Sequence, residues 1–426
     1  MAAKPAPIDP GKFTEHHEVV NILYDLKESR ARNPDDYIFS DVVDDEGHEY
    51  VDLVQEGGGM LGIALLGYTF VLEQMGIRFY SLAGTSAGAI NTMLLAAFGT
   101  PGEAKSEKVL KLVAEQDLSL FVDGDSDAKK FVNALKNWNG LFNTLFRGLQ
   151  VLDNLDKDMG LNPGDYFYNW IRETLESQKI LSTADLMKRV NAFPESIRVE
   201  RSRRKDDLTL AKGSARVAII AADITTETKA VFPEMADLYY KNPGEVSPAA
   251  YVRASMSVPL FFSPMVIGDI PSGKDAILRW NRKASYFGAI PEKVHLVDGG
   301  IMSNFPIDVF HQSYQVPRRP TFGVKLGLSR RHANNIANYR QLLSSAFFAA
   351  SNIKDTDFIV NNPDYRNLVS QIDVGAHDWL NFNMTEAEKI DLFVRGAHCA
   401  KDFLNTFRWD YYKKLRKELI LGKGAV

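Results

Sequence analysis

The stretch "IRFYSLAGTSAGAINTMLLAAFG", residues 77–99, decides the fold. An apolar run gives way to a cluster of small residues and then to a second apolar run closed by Gly99. The first run reads as a strand and the second as a helix. Between them "GTSAG" (84–88) satisfies G-x-S-x-G, the sharp strand-to-helix turn that lifts a serine above a sheet and beside a helix N-terminus. Glycines flank that serine because the turn brings backbone segments too close for β-carbons.

The preceding residues repeat the pattern. "YVDLVQE" (50–56) is strand-like, Gly57, Gly58 and Gly59 end it, and "LGIALLGYTFVLEQMG" (61–76) has helical spacing through Leu61, Leu65, Leu72 and Met75. Gly76 stands where a helix C-cap is expected. Strand, helix, strand, helix implies a parallel sheet with right-handed crossovers. Strand signals return at "ARVAIIAAD" (215–223), "KVHLVDGG" (293–300) and "TFGVKLG" (321–327).

Around this core the chain divides by pattern. Residues 1–48 read as an arm with one short helix, 49–330 as the catalytic α/β domain, and 331–426 as a helical segment packed on it. Residues 100–210 form a helical cap insertion, clearest at 129–155 and 165–177, and end in the basic stretch "RVERSRRKDD" (198–207). That stretch reads as a solvated loop, with anionic head groups or a nucleotide as the alternative. The Phe- and Trp-rich helices read equally as a buried cap or as a lid that docks on lipid.

Bulk properties set limits. The chain has 426 residues, 45% of them hydrophobic, and a formal net charge of -4, which argues for no nucleic-acid partner. One cysteine, Cys399, permits no internal disulfide and fits a reducing compartment. The N-terminus carries no apolar signal core, and no apolar run approaches the ~20 residues that span a bilayer. A soluble, cytoplasmic protein is expected, with any membrane contact peripheral.

Gly57, Gly59 and Gly62 satisfy G-x-G-x-x-G, but the next strand end, "FYSLAGTSAG" (79–88), supplies no acid for a ribose, and no Gly-Lys-Ser/Thr follows. With Ser86 beside it, the glycine run has another use, since its amides can point at the oxygen of a carbonyl that Ser86 attacks. A serine needs a base. Asp298 ends an apolar strand, and Gly299 and Gly300 free the space beside it. Among eight histidines, His311 is the best triad candidate, because it follows that acid in the Ser–Asp–His order. The cluster Asp44, Asp45, Glu46 and His48 fits no calcium loop and reads as an ordinary turn, so no metal is expected.

"GGGMLG", "GTSAG" and "DGG", in this order, resemble the patatin-like phospholipases, as do "RASMSVPLFFSP" (253–264) and "NFPID" (304–308). The resemblance covers about residues 53–327. It implies a three-layer fold, a central mostly parallel sheet flanked by helices, and a lipid acyl hydrolase that uses a Ser–Asp dyad without histidine, metal or cofactor. Carried over by position, Ser86 is the nucleophile, Asp298 the base, and Gly57, Gly58 and Gly59 the oxyanion loop. The substrate is a phospholipid or related acyl lipid, met by peripheral membrane contact; an activating small molecule or protein is left open. The family usually has Arg or Lys where this chain has Leu61. Arg253 is the candidate substitute, against a reading as a surface salt-bridge residue. The rivals are a Ser-His-Asp esterase using His311 and a non-catalytic binding protein on the same fold.

Overall fold

Two strands buried along their whole length form the middle of the molecule: β2 and β3 below show no exposed residue. Such strands are covered on both faces, as in parallel sheets wrapped by helices. The computed structural model describes residues 8–124, 159–200, 215–327 and 352–423, with positions 333, 336 and 349. Its strands are β1 (Val42–Val43), β2 (Glu49–Gln55), β3 (Ile77–Thr85), β4 (Gly160–Asn162), β5 (Arg198–Val199), β6 (Val217–Asp223), β7 (Thr228–Phe232), β8 (Leu260–Phe262), β9 (Met265–Gly268), β10 (Lys293–Asp298), β11 (Thr321–Leu326) and β12 (Val369–Ile372).

Ten of them form one sheet with the central order β12-β11-β2-β3-β6-β10-β9, while β4 and β8 pair separately. From β12 to β6 all neighbours are parallel. Helices flank this mostly parallel sheet. β10 reverses direction: it lies antiparallel to both β6 and β9. The carboxyl end of β10 therefore does not join the carboxyl ends of the parallel strands by direction. It joins them by register. Thr85 of β3 pairs with Ile220 of β6, and Asp298 pairs with Ala221. The aspartate thus arrives one residue beyond Thr85, at the level of Ser86, with β6 between them.

The Gly62–Gln74 helix carries apolar residues on every side because it is buried on every side. One face covers the sheet; the other meets the Glu386–Thr406 helix, which starts with the expected capping box between Thr385 and Glu388. The two helices cross at glycines. A Cβ on Gly67 would collide with the Phe393 carbonyl oxygen, and one on Gly396 with that of Ala64. The C-terminal stretch read as helical also supplies a strand, β12, which extends the sheet beside β11. Its four residues, "VSQI", are too few for a periodicity to be read. At the other terminus the arm helix, His17–Arg32, buries Val19, Ile22 and Leu26.

The expected cap helix at 129–155 and the basic residues 201–207 lie outside the described residues. The described part of the segment expected to be a cap includes the Ser106–Glu115, Asp165–Ser177 and Thr183–Val190 helices. Arg198–Val199, the start of the basic stretch, is paired with β1. The Asp44 carboxylate is taken up by Tyr50, His48 and the backbone of Glu46, so the acidic turn is a hydrogen-bonded one.

Gly67→Ala should lower stability by about 1–3 kcal/mol through overpacking, against the ~1 kcal/mol that Ala gains over Gly in a helix. A chemical-denaturation midpoint below that of the parent protein is the expected result. An unchanged midpoint would mean that the two helices do not meet at this glycine.

Candidate active site

The backbone at Ser86 has φ 51° and ψ -118°. Residues with side chains avoid positive φ, so the neighbours must hold the turn in place. A Cβ on Gly84 would strike the backbone of Gly88, and a Cβ on Gly88 would strike the Gln55 carbonyl. Both glycines are required by close approach of main chain to main chain. The Ser86 N–H donates to Ser255 Oγ at 3.0 Å, and the Thr85 hydroxyl donates to the Ser303 carbonyl at 2.9 Å. The Ser86 side chain is left at the start of the Ala87–Ala97 helix, nearly buried.

Asp298 is fixed from two sides. Its N–H donates to the Ser257 carbonyl at 2.8 Å, and its Oδ1 accepts from the Gly300 N–H at 2.7 Å. Its other oxygen, Oδ2, is buried and has no hydrogen-bond partner among the described residues. Burial raises the carboxyl to about 6, against the opposing pull of the Ser86 hydroxyl and the Gly300 N–H. The hydroxyl is near enough to affect the acid, yet the pair does not satisfy hydrogen-bond geometry. A loose contact of this kind is common in enzymes without bound substrate.

The glycine loop is pinned at both ends. Gly57 donates its N–H to the Asn304 carbonyl at 3.0 Å, and the Asn304 side-chain amide donates to the Gly57 carbonyl at 3.2 Å. On the far side the Met60 N–H donates to the Trp379 carbonyl at 2.9 Å. Between these anchors the N–H groups of Gly58 and Gly59 have no acceptor among the described residues. Of the three amides expected to face an oxyanion, that of Gly57 is thus already committed, and those of Gly58 and Gly59 are not. Gly57 serves instead by being small: a Cβ there would come within 3.1 Å of Ser86 Cβ. Gly59 has φ +53°, and a Cβ on it would strike the Trp379 carbonyl.

Leu61 is buried in the core, so no cation stands at that place. Arg253 does not replace it, and it is no surface residue. It is buried, its guanidinium donates to the Pro163 and Ser263 carbonyls and to Ser257 Oγ, and burial depresses its proton affinity. It braces the residue whose carbonyl holds Asp298. Lys325 is paired at 3.0 Å with buried Glu56, the residue just before Gly57.

Ser86 opens into an apolar cavity of about 100 Å³ lined by Ile63, Leu66, Ile90, Phe121, Trp170, Phe261, Trp379 and Phe382, among others. No histidine lines it among the described residues. His311 lies in a different cleft, where its ring contacts the Tyr365 hydroxyl at 2.9 Å. The structure thus brings Ser86, Asp298 and the glycine loop together and leaves His311 out. Sequence reasoning missed four contributors. Asn304 and Ser255 lie inside the segments that resemble the family, and that resemblance was their only signal. Asp355, whose carboxylate accepts from Ser303 Oγ and the Phe305 N–H, and Trp379 have no local signal.

The protein-family model for the patatin-like phospholipase domain matches residues 53–311. The Bacillus subtilis (strain 168) protein YqhO is 30% identical over 365 residues, which is 85% of this chain and 100% of that protein. Among solved structures, VipD from Legionella pneumophila aligns with a TM-score of 0.39 at 17% identity, covering 84% of this chain and 67% of its own. ExoU, in its complex with SpcU from Pseudomonas aeruginosa, aligns with a TM-score of 0.35 at 17% identity, covering 83% of this chain and 51% of the other.

If the Asp298 carboxylate must be free to act, ester hydrolysis should rise with pH through about 6 and level off above it. The sign for stability is opposite. The folded-state value lies above the unfolded 3.8, so stability is full below 3.8 and falls as pH rises through about 6, by roughly 3 kcal/mol in all. Asp298→Asn should therefore be more stable than the parent at pH 7 and lose that advantage in acid. Equal denaturation midpoints at neutral pH would mean that this carboxylate is not strained by burial.

Proposed function

The chain belongs to the patatin-like phospholipase family, and from that premise we propose that it is a serine acyl hydrolase releasing fatty acids from phospholipids or related acyl lipids. Ser86 is its nucleophile and Asp298 its base. The observation that carries this reading is the buried Asp298 oxygen that lacks a hydrogen-bond partner beside the Ser86 hydroxyl. A base raised to about 6 is stronger than an ordinary carboxylate and still ionised at neutral pH.

The steps follow from the geometry. Ser86 Oγ attacks the ester carbonyl carbon while its proton passes to Asp298 Oδ2. The carbonyl oxygen takes up the negative charge and accepts hydrogen bonds from the Gly58 and Gly59 amides. Each such donor is worth roughly 3–4 kcal/mol in the transition state. Collapse expels the alcohol, which leaves with the proton held by Asp298, and an acyl group remains on Ser86. Water then attacks the acyl carbonyl, gives a proton to Asp298, and displaces Ser86 Oγ, which recovers that proton as the fatty acid departs. The acyl chain lies in the apolar cavity beside Ser86. No described helix is long and apolar enough to cross a membrane; lipid is met by peripheral contact through the mouth of this apolar cavity. Leu61 removes the family's usual cation from the loop, which shifts recognition of the substrate from a phosphate near the loop toward its acyl chain.

Ser86→Ala and Asp298→Asn should each leave less than about a tenth of parent turnover on a soluble short-chain ester, because each removes a group the covalent step requires. His311→Ala should keep most of it, and EDTA should have no effect. A fluorophosphonate probe should label the parent and the His311→Ala protein but not Ser86→Ala. A folded, inactive His311→Ala protein would sink the dyad and favour a triad.

The cavity beside Ser86, about 100 Å³, is walled by the bulky rings of Phe121, Trp170, Phe261, Trp379 and Phe382. Short acyl groups are expected to be the better substrates of the parent. Trp379→Ala keeps the main-chain carbonyl that holds Met60 and removes the indole from the wall. The ratio of kcat/KM on long-chain to that on short-chain esters should rise severalfold. An unchanged ratio would assign the chain-length limit to another wall.

A further inference from the structure

A second cleft opens far from Ser86, and acyl-ester hydrolysis makes no use of it. Its volume is about 920 Å³, within the roughly 300–1,000 Å³ typical of small-molecule sites. Its floor includes Asp52 and Thr321, which are in register with one another, and Asp52 is in register with Ser81 of β3. Ser86 lies five residues beyond Ser81, or about 16 Å at ~3.3 Å per strand residue. A ligand in this cleft is therefore not the ester that Ser86 attacks.

The lining is unbalanced in charge. It holds Arg318, Arg319, Lys413, Lys414, Arg416 and Lys417 against the three acids Asp41, Asp52 and Asp410. Each of those acids already faces a cation. Asp52 meets Arg319 at 2.8 Å, Asp41 meets Lys413 at 2.8 Å, and Asp410 meets Lys413 at 3.1 Å. Arg416 is buried and held by Asp364 at 3.4 Å and the Gln312 carbonyl at 2.7 Å. Lys414 and Lys417 are exposed and meet no carboxylate within ion-pair distance among the described residues. Tyr314, on the same lining, leaves 93% of its surface in solvent. A concave site with surplus fixed cations focuses positive potential and draws anions. Phosphate groups suit it best, because each carries more charge than a carboxylate and several acceptor oxygens for ammonium and guanidinium donors. The exposed tyrosine adds a flat surface for a ring joined to the phosphates.

We propose that the cleft between the Trp409–Lys423 helix and residues 310–321 is a binding site for a small molecule bearing phosphate groups, with Lys414 and Lys417 as its outer cations. The phosphate can belong to a soluble compound or to a lipid head group, and the two sources separate in one experiment. ATP and pyrophosphate are titrated into the full-length protein by calorimetry. In parallel, the protein is sedimented with phosphatidylcholine vesicles with and without phosphatidic acid. Saturable binding of ATP or pyrophosphate, weakened about tenfold or more in the Lys414→Glu/Lys417→Glu protein and unchanged in Lys27→Glu, is the expected result for a soluble ligand. Binding confined to the phosphatidic acid vesicles, and lost in the same double variant, assigns the site to a head group. Ester hydrolysis on a soluble substrate should persist in the double variant and certify its fold. Absence of binding in every arm, or binding that the double variant retains in full, would overturn the proposal.

Discussion

The structure depends on one strained turn. Ser86 is held at a positive φ that residues with a Cβ avoid, and three layers of contact hold it there. Gly84 and Gly88 permit the main chain to fold on itself. The Ser255 hydroxyl accepts the Ser86 N–H, which the turn leaves outside any ladder. The Ser303 carbonyl accepts the Thr85 hydroxyl and ties the turn to the loop that follows Asp298. The loops around Ser86 are thereby one hydrogen-bonded body. Asn304 binds the glycine loop, Asp355 binds residues 303 and 305, and the strand bearing Asp298 enters the same loop. Displacing any one of them changes where the others sit.

That body stores cost in its polar groups. Asp298 Oδ2 is buried without a partner among the described residues, and so is Asn91 Oδ1 in the cavity that Ser86 lines. Buried Glu56 pairs with half-buried Lys325 next to the glycine loop, and burial raises the Glu56 carboxyl even with the lysine beside it. A core chosen for stability alone would satisfy these groups or replace them with apolar ones. The position of Asp298 Oδ2 beside Ser86 fits a site where charge must move, since an unmatched carboxylate oxygen is what a proton acceptor requires.

Much of this was legible in local patterns, for identifiable reasons. β2, β3 and the helices that follow them announce themselves by apolar runs broken at glycines, and Ser86 and Asp298 sit at run ends. What was not legible depends on distant pairing. No local signal tells that β10 runs antiparallel, so the level of Asp298 with Ser86 rests on a register with β6 that only the assembled sheet defines. The commitment of the Gly57 amide comes from Asn304, 247 residues away in sequence. Arg253 looked equally suited to substrate or surface, because a single arginine carries no mark of burial. His311 followed Asp298 in the right order, but order does not fix direction, and its ring turns toward Tyr365 and Arg416.

The part of the chain beyond the family match, past residue 311, does more than cover the sheet. The Glu386–Thr406 helix crosses the Gly62–Gln74 helix at paired glycines, and the latter begins where the glycine loop ends. Just ahead of the Glu386–Thr406 helix, Trp379 gives its carbonyl to Met60 and its indole to the cavity wall, and Phe382 stacks on Phe261 at 5.2 Å. His377 anchors that segment to Asp391 of the helix at 2.7 Å. The glycine loop and the wall of the apolar cavity are thus mounted on the same helix pair. Close packing transmits small shifts between elements in van der Waals contact. A change at the helix crossing therefore acts on the loop amides and the cavity wall together, and the C-terminal region is part of the site rather than an appendage to it.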